Sequence, residues 1–241
     1  MLTDALFLEV NLKRLNYFTR FEKLLWLFSV AFIILSFVLF SKDGYISLIA
    51  SLVGVTSLIF LAKGNPFGNV LMIIFSIIYG YISYTFSYYG EMITYVAMTL
   101  PMAVFSLISW LRNPYKGNKS QVTISGLSNK IIIQMLLSTI VVTVVLGVVL
   151  VKFNTANIVP SILSVATSFA AAFLTYKRTP YFPLAYALND IVLIVLWVLA
   201  SLKDLSYVSV VVCFIVFLIN DLYGFVSWKK MAKRQKSDNS K

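Results

Sequence analysis

Histidine is absent from this chain of 241 residues, and cysteine occurs once, at Cys213. Without histidine the chain lacks the commonest general base and the commonest metal ligand of proteins. The single cysteine lies in an apolar run, where a buried small side chain is its ordinary role, and it cannot form an intrachain disulfide. We therefore expect neither an enzyme active site, nor a metal site, nor a bound cofactor.

Charge is also scarce, since 12% of the residues are charged and 60% are hydrophobic. Soluble domains have about 25% charged and about 45–50% apolar residues, so the chain falls outside that class. The apolar residues form runs of the length, about 20 residues, that crosses a bilayer as a helix. The composition predicts an all-α integral membrane protein with eight transmembrane helices. The predicted spans are Leu24–Phe40, Tyr45–Ala62, Gly68–Tyr88, Met92–Leu111, Ile131–Val151, Ile158–Thr175, Tyr181–Ser201 and Leu205–Trp228.

The lysines and arginines are distributed unevenly between the two sides that these spans define. One side holds 17 of the 20 basic residues, and the other holds Lys42, Lys152 and Lys203. Basic residues concentrate on the cytoplasmic side of membrane proteins, so both termini are predicted to be cytoplasmic, in a bacterial inner membrane. The net charge of +11 is then explained by topology, with the lipid bilayer as the partner and no role for nucleic acid.

Both ends of the chain differ in composition from the spans. In residues 1–22, Leu8, Leu12, Leu15 and Phe18 follow the spacing of one helix face, which predicts an amphipathic helix on the cytoplasmic membrane surface. Residues 229–241 form a basic cytoplasmic tail.

Two stretches of the chain are similar. Ser109-Trp110 and Ser227-Trp228 are 118 residues apart, and each pair ends a span that follows a tight outer turn. Two three-helix units, 45–111 and 157–228, are therefore predicted to have the same orientation in the membrane. The segment 112–151 contains a cytoplasmic loop and one more membrane-spanning helix, which lets the second unit begin on the same side as the first. The first span, 24–40, is an additional helix. This is a 3+1+3 parallel repeat of the SWEET type. The two tryptophans are expected at the membrane interface.

Two carboxylates, Asp190 and Asp221, interrupt the last two spans. An ionisable group inside a membrane is costly and by default indicates function, although such groups also join helices as structural contacts. Tyr186, Asp190 and Trp197 share one helix face, which suits a flat, polar and cationic ligand. The first unit has no matching carboxylate. The candidate substrate-binding residues are Asn69, Tyr88, Tyr186, Asn189, Asp190, Trp197, Asn220 and Tyr223.

Five segments together carry a resemblance to a known family, over roughly residues 24–232. They are Tyr88–Met92, Trp110–Asn113, Arg178–Pro183, Asn189–Trp197 and Asn220–Trp228. As a set they resemble the PnuC vitamin transporters. One position departs from that pattern, because the penultimate helix opens with Tyr181-Phe182 where relatives often have a tryptophan.

The resemblance implies a homotrimer that takes up nicotinamide riboside for NAD biosynthesis by facilitated diffusion without ion coupling. A cytoplasmic kinase would then trap the vitamin by phosphorylating it. It also implies a mid-membrane site with aromatic stacking and asparagines of the penultimate helix, which points to Asn189 and Trp197. Two alternatives remain: a transporter of the same fold for thiamine, riboflavin or a deoxynucleoside, and a membrane scaffold subunit that transports nothing.

Overall fold

The computed structural model describes residues 17–40, 45–85 and 89–239. Most of the predicted amphipathic segment 1–22 lies outside the described residues, and so does Tyr88. The helices are α1 (Arg20–Phe40), α2 (Tyr45–Ala62), α3 (Phe67–Thr85), α4 (Tyr89–Thr94), α5 (Leu100–Leu111), α6 (Asn129–Lys152), α7 (Ile158–Tyr176), α8 (Phe182–Ser201) and α9 (Val208–Asn239). The strands are β1 (Pro114–Tyr115) and β2 (Asn118–Val122).

Eight helices in the described residues are long and apolar enough to cross a membrane, which confirms the predicted all-helical membrane protein. The fourth span is composite, because a π-helical turn at Tyr95–Thr99 joins α4 to α5. Pro101 follows this turn and has no N–H to donate, so the backbone cannot continue as a regular α-helix there. Two details were not predicted: the loop after α5 forms an antiparallel hairpin, and α9 continues eleven residues past Trp228 to Asn239.

Local signals in the sequence set where the helices begin and turn. At the start of α1 the Glu22 carboxylate accepts the Thr19 N–H at 2.7 Å, and the Thr19 hydroxyl accepts the Glu22 N–H at 3.2 Å. This reciprocal pair is a capping box. After α2 and α7 the chain turns through left-handed residues, Gly64 (φ 68°) and Arg178 (φ 58°). Their carbonyls accept the N–H groups of Val122 and Ser125, so the loop after β2 ties both turns together.

The two predicted units pack against each other reciprocally. The last helix of the second unit, α9, contacts α2, which is the first helix of the first unit. In the same way α5, which ends the first unit, contacts α7, which begins the second. The additional helix α1 packs on α2 and α9. The end of the bundle that carries both turns, the hairpin and the extension of α9 is called the basic end below.

The two Ser-Trp pairs make equivalent hydrogen bonds, each to the end of the first helix of the other unit. Trp110 donates its indole N–H to the Thr175 carbonyl at 2.9 Å, and Trp228 donates to the Leu61 carbonyl at 2.8 Å. The preceding serines donate to the next carbonyls along, Tyr176 and Ala62. Both indoles are fully buried, so the prediction that these tryptophans lie at the membrane interface was wrong. Between the units each indole N–H pairs with a helix-end carbonyl that has no partner within its own helix.

Trp228→Phe is expected to lower the free energy of unfolding by about 1 kcal/mol, the net value of one buried hydrogen bond. Phenylalanine keeps a ring against Phe182 but cannot donate to Leu61. The measurement is the unfolding midpoint of purified protein in detergent. Trp26→Phe is the matched control, because the Trp26 indole N–H donates to the Thr56 hydroxyl at an exposed position. Equal losses in the two variants would contradict a special contribution of the buried bond.

Candidate functional site

A cavity lies between the two units. Its walls come from α2, α3, the π-helical turn, α7, α8 and α9, with a contribution from the end of α6. The polar and aromatic lining residues are Phe75, Thr94, Tyr95, Thr99, Thr155, Ser161, Ser164, Ser168, Tyr186, Asn189, Asp190, Trp197, Phe214, Phe217 and Asp221. None of the described residues that line it is a lysine or an arginine.

Asn189 on α8 is held in place by hydroxyl groups of α7. Its side-chain oxygen accepts the hydroxyls of Thr167 at 2.7 Å and Ser168 at 3.0 Å. Those two bonds fix the orientation of the amide, because oxygen is the only acceptor that it has. The amide N–H₂ is the group left to donate into the cavity. Asn189 is therefore a cavity-lining amide whose orientation is fixed by α7.

Asp190 and Asp221 come from adjacent helices and line the same cavity. Both are almost fully buried, with 3% and 6% of their surface exposed, and their carboxyl groups are within hydrogen-bonding reach of each other. Within the described residues the second oxygen of Asp190 has no hydrogen-bond partner. Burying a carboxylate oxygen without a partner is unfavourable. A cationic or hydrogen-bond-donating ligand would relieve that cost.

Aromatic side chains from both units line the cavity. Phe75 and Tyr95 are 6.1 Å apart between ring centroids, and Phe75 lies 6.4 Å from Phe217 of α9. At the far end of the cavity, Trp197 packs on Tyr207 at 5.4 Å. Such rings offer faces for a flat heterocycle. The cavity thus combines aromatic planes from both units with an amide and two carboxyl groups of α8 and α9.

The structure brings four of the predicted site residues together: Tyr186, Asn189, Asp190 and Trp197 all line the cavity. Asn220 points elsewhere, because its amide donates to the Ser29 hydroxyl of α1 at 2.9 Å. Tyr223 also faces α1 and donates to Glu22 at 2.7 Å.

Helix geometry explains this separation, since consecutive residues of a helix differ in direction by about 100°. Asp221 faces α8, and its neighbour Asn220 then faces α1. Asn69 is buried in α3 outside the lining of the cavity. Sequence reasoning missed Phe75, Tyr95, Phe214 and Phe217, since aromatic residues in an apolar helix carry no signal that distinguishes a ligand-facing ring from a packed one.

Three buried aromatic side chains close the cavity toward the basic end. Trp110 and Trp228 lie 5.3 Å apart between centroids, and Phe182 packs edge-on against Trp228 at 4.7 Å. Phe182 in turn contacts Tyr186, which lines the cavity. The open volume is about 120 Å³, below the roughly 300–1,000 Å³ of typical small-molecule sites. A vitamin-sized ligand therefore requires the walls to move apart.

A family model described as nicotinamide mononucleotide transporter matches residues 44–230, which include every described helix of both units. The chain belongs to this family of membrane transporters. Two curated relatives bear the name nicotinamide riboside transporter PnuC. The protein from Neisseria mucosa is 23% identical over 200 residues, which cover 81% of this chain and 76% of the relative. The protein from Haemophilus influenzae is 22% identical over 199 residues, which cover 80% and 83%.

A solved structure has the same fold as this chain. The crystal structure of the vitamin B3 transporter PnuC aligns with a TM-score of 0.77 at 23% sequence identity, covering 90% of this chain and 94% of that one. The predicted resemblance to PnuC proteins is thereby confirmed, as is the prediction of a transporter in place of an enzyme.

Proposed function

We propose that the protein carries nicotinamide riboside into the cytoplasm by facilitated diffusion, through the cavity between two three-helix units of a 3+1+3 repeat. The observation that carries this proposal is the composition of the cavity: aromatic rings line it together with Asn189, Asp190 and Asp221, and no described basic side chain does. The ligand has a pyridinium ring, a carboxamide and ribose hydroxyls. Aromatic stacking suits the ring, amide hydrogen bonds suit the carboxamide, and the carboxylates can accept the ribose hydroxyls and attract the positive charge.

The same lining favours a riboside over a mononucleotide. A mononucleotide carries a phosphate, and phosphates are bound by arginine, lysine or helix N-termini. Two carboxyl groups in the cavity would instead repel the phosphate at short range. The proposal therefore follows the name of the curated relatives and departs from the description of the family model. Thiamine, which is also a flat cation, is the second candidate, because the same carboxylates and rings suit it.

The hydrogen bonds of Trp110 and Trp228 support the parallel repeat. Each indole donates to the other unit, as expected for two similar units related by a two-fold axis. We further propose a homotrimer and trapping of the vitamin by a cytoplasmic kinase, both implied by the resemblance to PnuC proteins.

Uptake into liposomes tests the substrate and the energetics together. Nicotinamide riboside is expected to enter until its inside and outside concentrations are equal, whatever the proton or sodium gradient, because no chain of ionisable groups crosses the described bundle for a proton relay. Unlabelled nicotinamide riboside should compete with the radiolabelled vitamin, and nicotinamide mononucleotide should not. Accumulation above equilibrium would contradict facilitated diffusion, and stronger competition by thiamine would reassign the substrate.

The basic end is proposed to be cytoplasmic. A cysteine introduced as Asn118→Cys in the hairpin should stay unlabelled by an impermeant thiol reagent in intact cells, and one introduced as Leu202→Cys should be labelled. Leu202 is 79% exposed after α8, at the other end of the bundle. The unaltered protein is the control, because its Cys213 is buried and should not react. The reverse pattern would invert the topology.

A further inference from the structure

Two cavities at the basic end are related by the repeat. The first lies between α5 and α7, has a volume of about 540 Å³, and is lined by Ser109, Arg112, Lys177 and Arg178. The second lies between the end of α2 and α9 and is lined by Lys63, Ser227 and Lys230. Ser227 and Lys230 follow Ser109 and Arg112 by 118 residues, and Lys177 follows Lys63 by 114. We call them the α5–α7 cavity and the α2–α9 cavity.

A carboxylate of the chain binds two of the residues that line the α2–α9 cavity. Glu22 at the start of α1 accepts hydrogen bonds from Lys63 at 3.2 Å and from Tyr223 at 2.7 Å, and both donors line that cavity. Glu22 is 3% exposed, so the charge of Lys63 is answered inside the protein. A buried carboxylate with two donors and a cation is a complete anion site.

The α5–α7 cavity has the cations without the anion. The helix that precedes the second unit, α6, has no acidic residue in its first turn, whereas α1 has Glu22. Within the described residues, no carboxylate pairs with Arg112, Lys177 or Arg178. Three positive charges therefore line a cavity without a carboxylate, whereas a lysine of the repeat-related cavity is paired with Glu22.

Arg178 shows that this arrangement is incomplete. Its Nε is buried and has no hydrogen-bond partner within the described residues, while one terminal nitrogen makes only a long 3.5 Å contact to the Ser109 carbonyl. Desolvation by burial lowers the pKa of the Arg178 guanidinium below its ordinary value, although the group stays charged at neutral pH. Lys177 is held close by, over the rings of Phe173 and Tyr176 at 5.3 and 5.0 Å. A guanidinium with an unused donor is a ready partner for a phosphate or carboxylate oxygen.

We propose that the α5–α7 cavity binds the phosphate of an anionic phospholipid headgroup. The side of the cavity toward the bilayer selects a lipid over free phosphate: Phe105 and Ile108 line it and are 53% and 41% exposed, which offers an apolar surface to acyl chains. These residues lie on α5 before Arg112, on the side of the membrane interior. The basic residues can therefore bind the headgroup while Phe105 and Ile108 contact the acyl chains. Basic residues near a helix C-terminus also offset its dipole. Lys63 stands at the equivalent end of α2, however, and still binds a carboxylate there.

Thermal unfolding in a neutral detergent tests the proposal, with phosphatidylglycerol, phosphatidylcholine or inorganic phosphate added. Phosphatidylglycerol is expected to raise the melting temperature of the unaltered protein by several degrees, and the other two are not. The double variant Arg112→Gln/Lys177→Gln should lose this rise. Lys233→Gln/Lys236→Gln is the matched control, because it removes two positive charges from the exposed end of α9 and should keep the rise.

Native mass spectrometry gives a second readout that does not depend on stability. The unaltered protein and the control should retain one more phosphatidylglycerol per chain than the Arg112→Gln/Lys177→Gln variant. An equal response of all three proteins would overturn the site. An equal rise with inorganic phosphate would overturn the lipid as its source. A change of oligomeric state in the double variant would overturn the lipid proposal. It would indicate that an acidic group from a second copy of the chain occupies the cavity. Each outcome is independent of whether the protein transports nicotinamide riboside.

Discussion

The double variant Asp190→Asn/Asp221→Asn is expected to weaken the binding of nicotinamide riboside about a hundred-fold. The two carboxyl groups line one buried cavity, and opposite charges a few ångströms apart near an effective dielectric of 20 attract by about 4 kcal/mol. Part of that attraction is offset by the loss of hydration of the ions, and about 2.7 kcal/mol corresponds to a hundred-fold change in affinity. Asparagine keeps the shape of each side chain and one acceptor oxygen, and it replaces the charged second oxygen with a neutral donor. Calorimetry on folded, purified protein measures the change.

A neutral ligand of the same shape provides the control. In reduced nicotinamide riboside the ring is a dihydropyridine without positive charge, while the carboxamide and ribose are retained. Its affinity should change much less in the double variant. The single variants should have intermediate effects, because the remaining carboxylate still borders the cavity. An equal loss for the charged and the neutral ligand would show that the carboxyl groups join α8 to α9 and do not answer a cation.

Asn189→Leu is expected to weaken binding of the same ligand by about ten-fold or more. Leucine has a similar volume but cannot donate to a carboxamide or hydroxyl, and a ligand polar group left unpaired in a buried site loses about 1–3 kcal/mol. The change also removes the acceptor of the Thr167 and Ser168 hydroxyls. The Thr167 hydroxyl also bonds to two carbonyls of its own helix, and these bonds remain in the variant. We therefore expect α7 to remain folded.

The matched control for Asn189→Leu is Asn220→Leu. Both asparagines are buried, with 4% and 2% of their surface exposed, but Asn220 bonds Ser29 of α1 outside the cavity. Asn220→Leu should therefore lower the unfolding midpoint and leave the affinity unchanged. Calorimetry and thermal unfolding on the two proteins separate these effects. A loss of affinity in Asn220→Leu as large as in Asn189→Leu would place the ligand closer to α1 than the cavity lies.

The spans could be predicted from the sequence because the bilayer imposes their length and hydrophobicity on local stretches. The reciprocal Ser109-Trp110 and Ser227-Trp228 pairs indicated a repeat for a similar reason, since both are local patterns. The burial of those tryptophans could not be predicted. A tryptophan near the end of a span is usually interfacial, and only the packing of α5 on α7 and of α9 on α2 removes these two from the interface.

The candidate site was predictable where polar residues are rare and one helix face holds several of them. Tyr186, Asn189, Asp190 and Trp197 satisfy both conditions on α8. The prediction was less successful on α9, where Asn220 and Asp221 are adjacent in sequence but face different helices. That assignment depends on the position of α1, which no local pattern encodes. The aromatic lining requires the convergence of three helices and is a tertiary property.

The exchanged tryptophan bonds have a consequence for the ancestry of this fold. Each unit has one indole donor and one helix-end acceptor. The donor of each unit bonds to the acceptor of the other, as in two identical subunits related by a two-fold axis. A half-length chain with α2, α3 and α5 could therefore satisfy its own donor and acceptor by forming a symmetric homodimer. Duplication and fusion of such a gene would require one extra crossing between the copies to keep them parallel. In the proposed 3+1+3 arrangement α6 is that crossing.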